Sequence, residues 1–126
     1  MDRFKFRAWD KQYNMMVGNE DFSRIVANFQ GLNSDEWANL TWMQCTGLKD
    51  KNGVLIYEGD IIWFEGRYEG DYWCDDGKGF VKYEECEYFL QGHANSDYWC
   101  LSDMVHNHDG EIVGNIYENG DLLNGK

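Results

Sequence analysis

Between Met43 and Ile62 the chain reads MQCTGLKDKNGVLIYEGDII, three apolar runs separated by two turn signals. The first signal is Lys51-Asn52-Gly53. Asn and Gly both tolerate the positive φ that a tight hairpin requires, so the flanking runs are expected to pair as antiparallel strands. The second is Glu58-Gly59-Asp60, a sharp corner before Ile61 to Phe64. Short strands broken by sharp corners at such close spacing belong to a small β-barrel or roll. The stretch contains no nucleophile motif, metal cage or phosphate loop, so it constrains the fold far more than the chemistry.

The rest of the chain carries the same pattern. Phe4, Phe6 and Ala8 alternate with Lys5, Arg7 and Trp9, and residues 3–17 read as a hairpin turning at Asp10-Lys11-Gln12. Residues 18–31 fit either a helix or a strand, with Phe22, Ile25, Val26 and Phe29 as the apolar positions. Ser34 before Asp35, Glu36 and Trp37 predicts one capped helical turn. Strands are expected at 40–45, 54–57, 61–64, 80–83, 87–90 and 98–101, with a turn over 48–53. Ser102 to Met104 predicts a helical turn. Residues 65–79 are acidic and Gly-rich and predict a long loop or ragged hairpin. Glu111 to Tyr117 predicts a strand whose internal Gly114 marks a bulge or a close backbone approach. Asn119 to Leu123 predicts a turn and a short helix.

The 126 residues are expected to form a single domain, with the barrel core over 40–119. Aromatic residues make up 17% of the chain, which favours strands and supplies large buried areas. Proline is absent. A formal net charge of −12 opposes direct contact with phosphate backbones and anionic lipid heads, so neither a nucleic acid nor a membrane is an expected partner. The N-terminus lacks the apolar core of a signal peptide and no apolar run is long enough to span a bilayer, which predicts a cytoplasmic protein. In that compartment Cys45, Cys74, Cys86 and Cys100 are expected as free thiols, and none forms C-x-x-C.

The chain is similar in four blocks to the YopX family of phage and prophage proteins. These are Phe6-Arg7-Ala8-Trp9-Asp10 with Met15; Met43-Gln44 and Thr46 to Gly53; Ile56-Tyr57-Glu58-Gly59-Asp60-Ile61; and Gly114 to Asn119 with Leu122-Leu123. The resemblance implies a mainly β protein with an SH3-type barrel core, an N-terminal β extension, and an origin in a phage or prophage within a bacterial cytoplasm. It implies no activity. Gly120 stands where the family usually has proline, and residues 65–105 show little that matches.

Candidate chemistry is sparse. His93, His106 and His108 are the only histidines. If extended, His106 and His108 would share a face, with Cys100 or Asp109 completing a metal site; the same residues also read as a polar turn. Glu69, Asp71, Asp75 and Asp76 lack the calcium-loop spacing, and Asp75-Asp76-Gly77 reads as a hairpin tip. Cys86 lies among glutamates that oppose a thiolate, whereas Cys45 and Cys100 are expected in the core. No cofactor motif and no catalytic set emerges, and the chain is expected not to be an enzyme.

Alternation assigns at least half of Trp63, Phe64, Tyr68, Tyr72, Trp73, Tyr83, Tyr88, Tyr98 and Trp99 to the core. The remainder is available for recognition, as on the aromatic-lined surfaces of SH3-type barrels. Tyr68, Tyr72 and Trp73, with Asp75 and Asp76 beside them, are the candidate partner-binding residues. The expected role is a non-enzymatic accessory module that binds a host or phage protein or self-assembles. The alternatives are an acidic nucleic-acid mimic that inhibits a host DNA-acting enzyme, and a metal-dependent enzyme built on His106, His108 and Cys100.

Overall fold

Turn chemistry divides most of the described residues into short strands. In the computed structural model, residues 5–18, 39–92 and 98–123 are described. The ambiguous segment 18–31, the capped turn at 34–37 and His93 lie wholly or almost wholly outside them. β1 (Phe6–Asp10) and β2 (Met15–Val17) form the expected N-terminal hairpin. Asp10 closes its turn by accepting the Gln12 and Tyr13 amides at 2.9 and 3.2 Å. β1 also pairs with β3 (Leu40–Lys49), which pairs with β4 (Leu55–Tyr57), giving the sheet order β2-β1-β3-β4.

β5 (Asp60–Phe64) opens the second sheet. β6 (Arg67–Glu69) and β7 (Tyr72–Cys74) then form a separate two-stranded ribbon, so of the loop and the hairpin expected over 65–79 it is the hairpin that forms. β8 (Gly77–Glu84), β9 (Glu87–Gln91) and β10 (Tyr98–Cys100) follow, then helix α1 (Leu101–Asn107), β11 (Glu111–Asn115) and a 3-10 turn over Gly120–Leu123. The second sheet runs β10-β9-β8-β5-β11, antiparallel throughout. The architecture is mainly β, a curled half-barrel with one helix among the described residues.

The main core gathers Ile56, Ile62, Phe64, Val81, Leu90, Leu101, Met104 and Val105. Fully burying one such side chain stabilises the fold by roughly 1.5–3 kcal/mol. Leu101, Met104 and Val105 fall at i, i+3 and i+4, a helical stripe, and all three are buried. That spacing explains two departures from expectation. Leu101 begins a helix instead of ending a strand, and the helix continues through His106 and Asn107, where a polar turn was expected. Cys100 is a further correction. β10 is an edge strand that turns Trp99 inward, within 4.9 Å of Phe64, and alternation leaves Cys100 exposed. Cys45 is buried as expected.

Both predicted corners are present. Asp50, itself buried, organises the first: its Oδ1 accepts the Asn52 and Val54 amides at 2.9 and 3.0 Å, and its Oδ2 accepts the Ile112 amide at 3.1 Å. The turn is therefore tied to β11 as well as to itself. β3 persists to Lys49, so the turn is shorter than the expected 48–53. Gly114 shows both features read from sequence. The β5–β11 register shifts between Ile112 and Gly114, and a Cβ on Gly114 would stand 2.6 Å from Asn119 Oδ1.

The second corner joins the two sheets. Gly59 has φ +86°, donates to Val81 O at 2.9 Å and accepts from the Ile116 amide at 2.9 Å. A Cβ there would lie 3.2 Å from Met43 Sδ and 3.3 Å from a ring carbon of Tyr117. Beside it, Arg7 of β1 pairs with Asp60 of β5 at 2.7 Å and donates to Glu58 O at 3.1 Å, its guanidinium 4.8 Å from the Tyr57 ring centroid. Asp60 Oδ2 accepts the Tyr57 amide and Glu58 Oε1 accepts the Gln44 amide, each at 2.8 Å. Burial pushes the Asp60 carboxyl above its ordinary 3.8, against the opposing pull of Arg7 and the Tyr57 amide.

Gly59→Ala adds a side chain in a left-handed conformation and a crowded site, and is expected to destabilise the protein by at least about 1–2 kcal/mol in urea unfolding. A raised Asp60 pKa means that its contribution to stability is full below 3.8 and is lost as pH rises through the folded-state value. The stability of wild type relative to Asp60→Asn, followed by urea unfolding across that window, is therefore expected to fall with rising pH. A rising difference would show that attraction to Arg7 outweighs desolvation.

Candidate functional site

Among the described residues two places concentrate polar chemistry, and they differ in access. The corner at Arg7, Glu58 and Asp60 is part-buried and its carboxylates face the protein's own amides. Arg7 Nε is buried with no hydrogen-bond partner among the described residues. Strands β1 and β5 meet there through Arg7 and Asp60, with Glu58 from the corner between β4 and β5, and the arrangement is a fastening between sheets.

The second place is the β6–β7 hairpin and the cleft at its base. Tyr68 faces Trp73 across the ribbon and their rings meet edge to face at 5.1 Å. Tyr72 pairs with Glu69 and, by alternation, projects from the opposite face. Tyr68, Tyr72 and Trp73 are 74%, 81% and 55% exposed. The three rings named from sequence thus belong to one hairpin but to two faces. Asp75 Oδ1 accepts the Trp73 indole N–H, and Asp76 Oδ1 accepts the Gly66 amide across the base of the hairpin. Both acids therefore also hold the hairpin's own geometry. Of the other aromatics, Phe64 is fully buried and Tyr83 and Tyr98 are exposed.

A cleft of about 480 Å³ lies between this hairpin and the end of α1, lined by Arg67, Tyr68, Asp103, Asn107 and His108. Arg67 extends to Asp109 and to Glu65, the latter at 3.4 Å. His108 is fully buried. Its ring Nδ1 lies 2.9 Å from Glu65 O. A carbonyl only accepts, so Nδ1 carries the hydrogen. The His108 carbonyl in turn accepts the Glu65 amide at 2.9 Å, and this exchange fastens the end of α1 to the chain leaving β5. Asp103 Oδ1 accepts from the Asn107 amide at 2.6 Å, one helical turn on. Asp103 Oδ2 stands 4.0 Å from His108 Nε2, beyond hydrogen-bond reach.

The alternative of a metal-dependent enzyme built on His106, His108 and Cys100 draws no support from this arrangement. His106 is exposed on α1 whereas His108 is buried beyond its end, so the two do not share a face. Among the described residues, no group of three or more His, Cys, Asp or Glu side chains converges for a metal ion. Sequence reading missed Arg67, Asp103, Asn107 and His108 as one site. Asn107 follows Asp103 by four residues and could have been paired with it once a helix was assumed. The meeting of α1 with β6 is tertiary and has no local signal.

A curled β half-barrel that projects an aromatic hairpin over a polar cleft is the class of protein these observations define. The chain belongs to the YopX family: the family described as "YopX protein" matches residues 5–124. Among solved structures, the fold is similar to protein EF1440 from Enterococcus faecalis, with a TM-score of 0.62 and 25% identity over 94% of this chain and 96% of that one. No curated protein matches the chain. Among the described residues, no helix is long and apolar enough to cross a membrane.

The free cysteines offer a direct check on this surface. Brief iodoacetamide treatment of the native protein, read by peptide mass spectrometry, is expected to label Cys86 and Cys100 and to spare buried Cys45 until the protein unfolds.

Proposed function

We propose that this protein is a non-enzymatic accessory module of a phage or prophage, acting in the bacterial cytoplasm by binding a protein partner through the β6–β7 hairpin. The observation that carries the reading is the display of Tyr68, Tyr72 and Trp73 on a ribbon that pairs with neither main sheet. Large exposed rings are costly to leave in water and are the side chains most used as anchors in protein interfaces. Exposed Asp71, Asp75 and Asp76 flank Tyr72 and Trp73 in the sequence, which favours a partner surface with basic character. Homo-oligomer formation through the same rings is the form the reading takes if the partner is a second copy.

The nucleic-acid mimic draws less support. It requires carboxylates arrayed outward at phosphate-like spacing. Asp10, Asp50, Glu58, Asp60 and Asp76 instead accept amides of their own chain. Part of the acidic excess is architectural.

The test is capture from a nuclease-treated bacterial lysate by wild type and by Tyr72→Ala/Trp73→Ala, washed at low and high salt. A protein retained at high salt by wild type and lost by the folded double variant is the expected result. Equal capture by both would remove the hairpin as the contact, and capture lost only with salt would favour the mimic.

A further inference from the structure

We infer that the cleft beneath the hairpin receives an arginine side chain of the partner, an inference that rests on the protein-binding reading above and gives that site its specificity. The cleft's own cation is already engaged, since Arg67 extends to both Asp109 and Glu65. Asp103 lines the same cleft, so three carboxylates and one guanidinium lie in or beside it, and His108 adds a ring already donating from Nδ1. An incoming anion would meet this excess of negative charge, whereas an incoming cation would relieve it.

Asp103 is the group positioned to accept. Its Oδ1 takes one hydrogen from Asn107, and its Oδ2 stands 4.0 Å from His108 Nε2. A carboxylate has about four lone-pair sites, so most of its acceptor capacity remains. Tyr68 lines the same cleft with a ring that is 74% exposed and steadied by its edge-to-face contact with Trp73. A planar guanidinium can stack on that ring while its fork donates to Asp103, which an ammonium cannot do in the same way. The cleft volume, about 480 Å³, accommodates such a group with part of its aliphatic stem. The chain's formal charge of −12 draws cationic segments toward it from a distance.

The probe is Nα-acetyl-L-arginine methylamide, titrated at low salt into the 15N-labelled protein, with the uncharged citrulline analogue in parallel. The amides of Tyr68, Asn107 and His108 are expected to shift saturably with the arginine compound, and the citrulline analogue to bind about fivefold more weakly. Asp103→Asn keeps an acceptor for Asn107 and is expected to weaken the arginine compound by a similar factor while leaving distant amides unmoved. Tyr68→Leu, which removes the ring face, serves as a second variant if the first perturbs the fold. Equal binding of both compounds, or arginine binding unchanged in a folded variant, overturns the inference. The protein-binding reading fails separately, on partner capture by the Tyr72/Trp73 variant.

Discussion

The contact between Arg7 and Asp60 determines how the two sheets of this protein meet. Arg7 belongs to β1 and Asp60 begins β5, and nothing in the backbone pairing joins those strands directly. Their side chains are 13% and 4% exposed, so the pair is formed largely out of water. Attraction strengthens in that setting, but so does the cost of desolvation, and burial is the stronger influence on Asp60. The contact therefore contributes more to placement than to net stability. Glu58, Gly59 and Tyr57 complete it through the backbone, and Tyr117 closes over it by stacking on Trp9 at 5.6 Å.

Every block of sequence that resembles the YopX family reaches this junction. Arg7 and Trp9 come from the first block, Met43 and Gln44 from the second, Tyr57 to Asp60 from the third, and Asn115 to Tyr117 from the fourth. The family signature is thus a signature of architecture. Tyr68, Tyr72, Trp73 and the cleft lie instead within 65–109, most of it the stretch with little resemblance.

The absence of proline is offset by side-chain acceptors. Asp10, Asp50 and Asp60 each close a turn by accepting nearby amides, Asn115 Oδ1 accepts those of Tyr117 and Glu118, and Thr46 Oγ1 accepts that of Leu48. Such bonds replace the preset φ of proline with a local acceptor that satisfies backbone donors at the corner. They also account for part of an acidity that would otherwise suggest a purely electrostatic role.

The sequence alone determined the elements whose causes are local. Asn52-Gly53 and Gly59-Asp60 specify their corners because left-handed φ and short-range acceptors act within a few residues. Alternation specified β1, apolar runs bounded by turn signals specified β4 and β5, and Gly114 announced the bulge it occupies. The aromatic hairpin was legible as an exposed acidic segment, though not as two faces, because facing depends on register. What depends on distant residues was settled only by tertiary structure. Leu101 became helical because its stripe meets the core, Cys100 turned outward because β10 lies at an edge, and His108 was buried by its exchange with Glu65. The cleft itself exists because α1 ends against β6, and residues so far apart in the chain share a surface only after the sheets have closed.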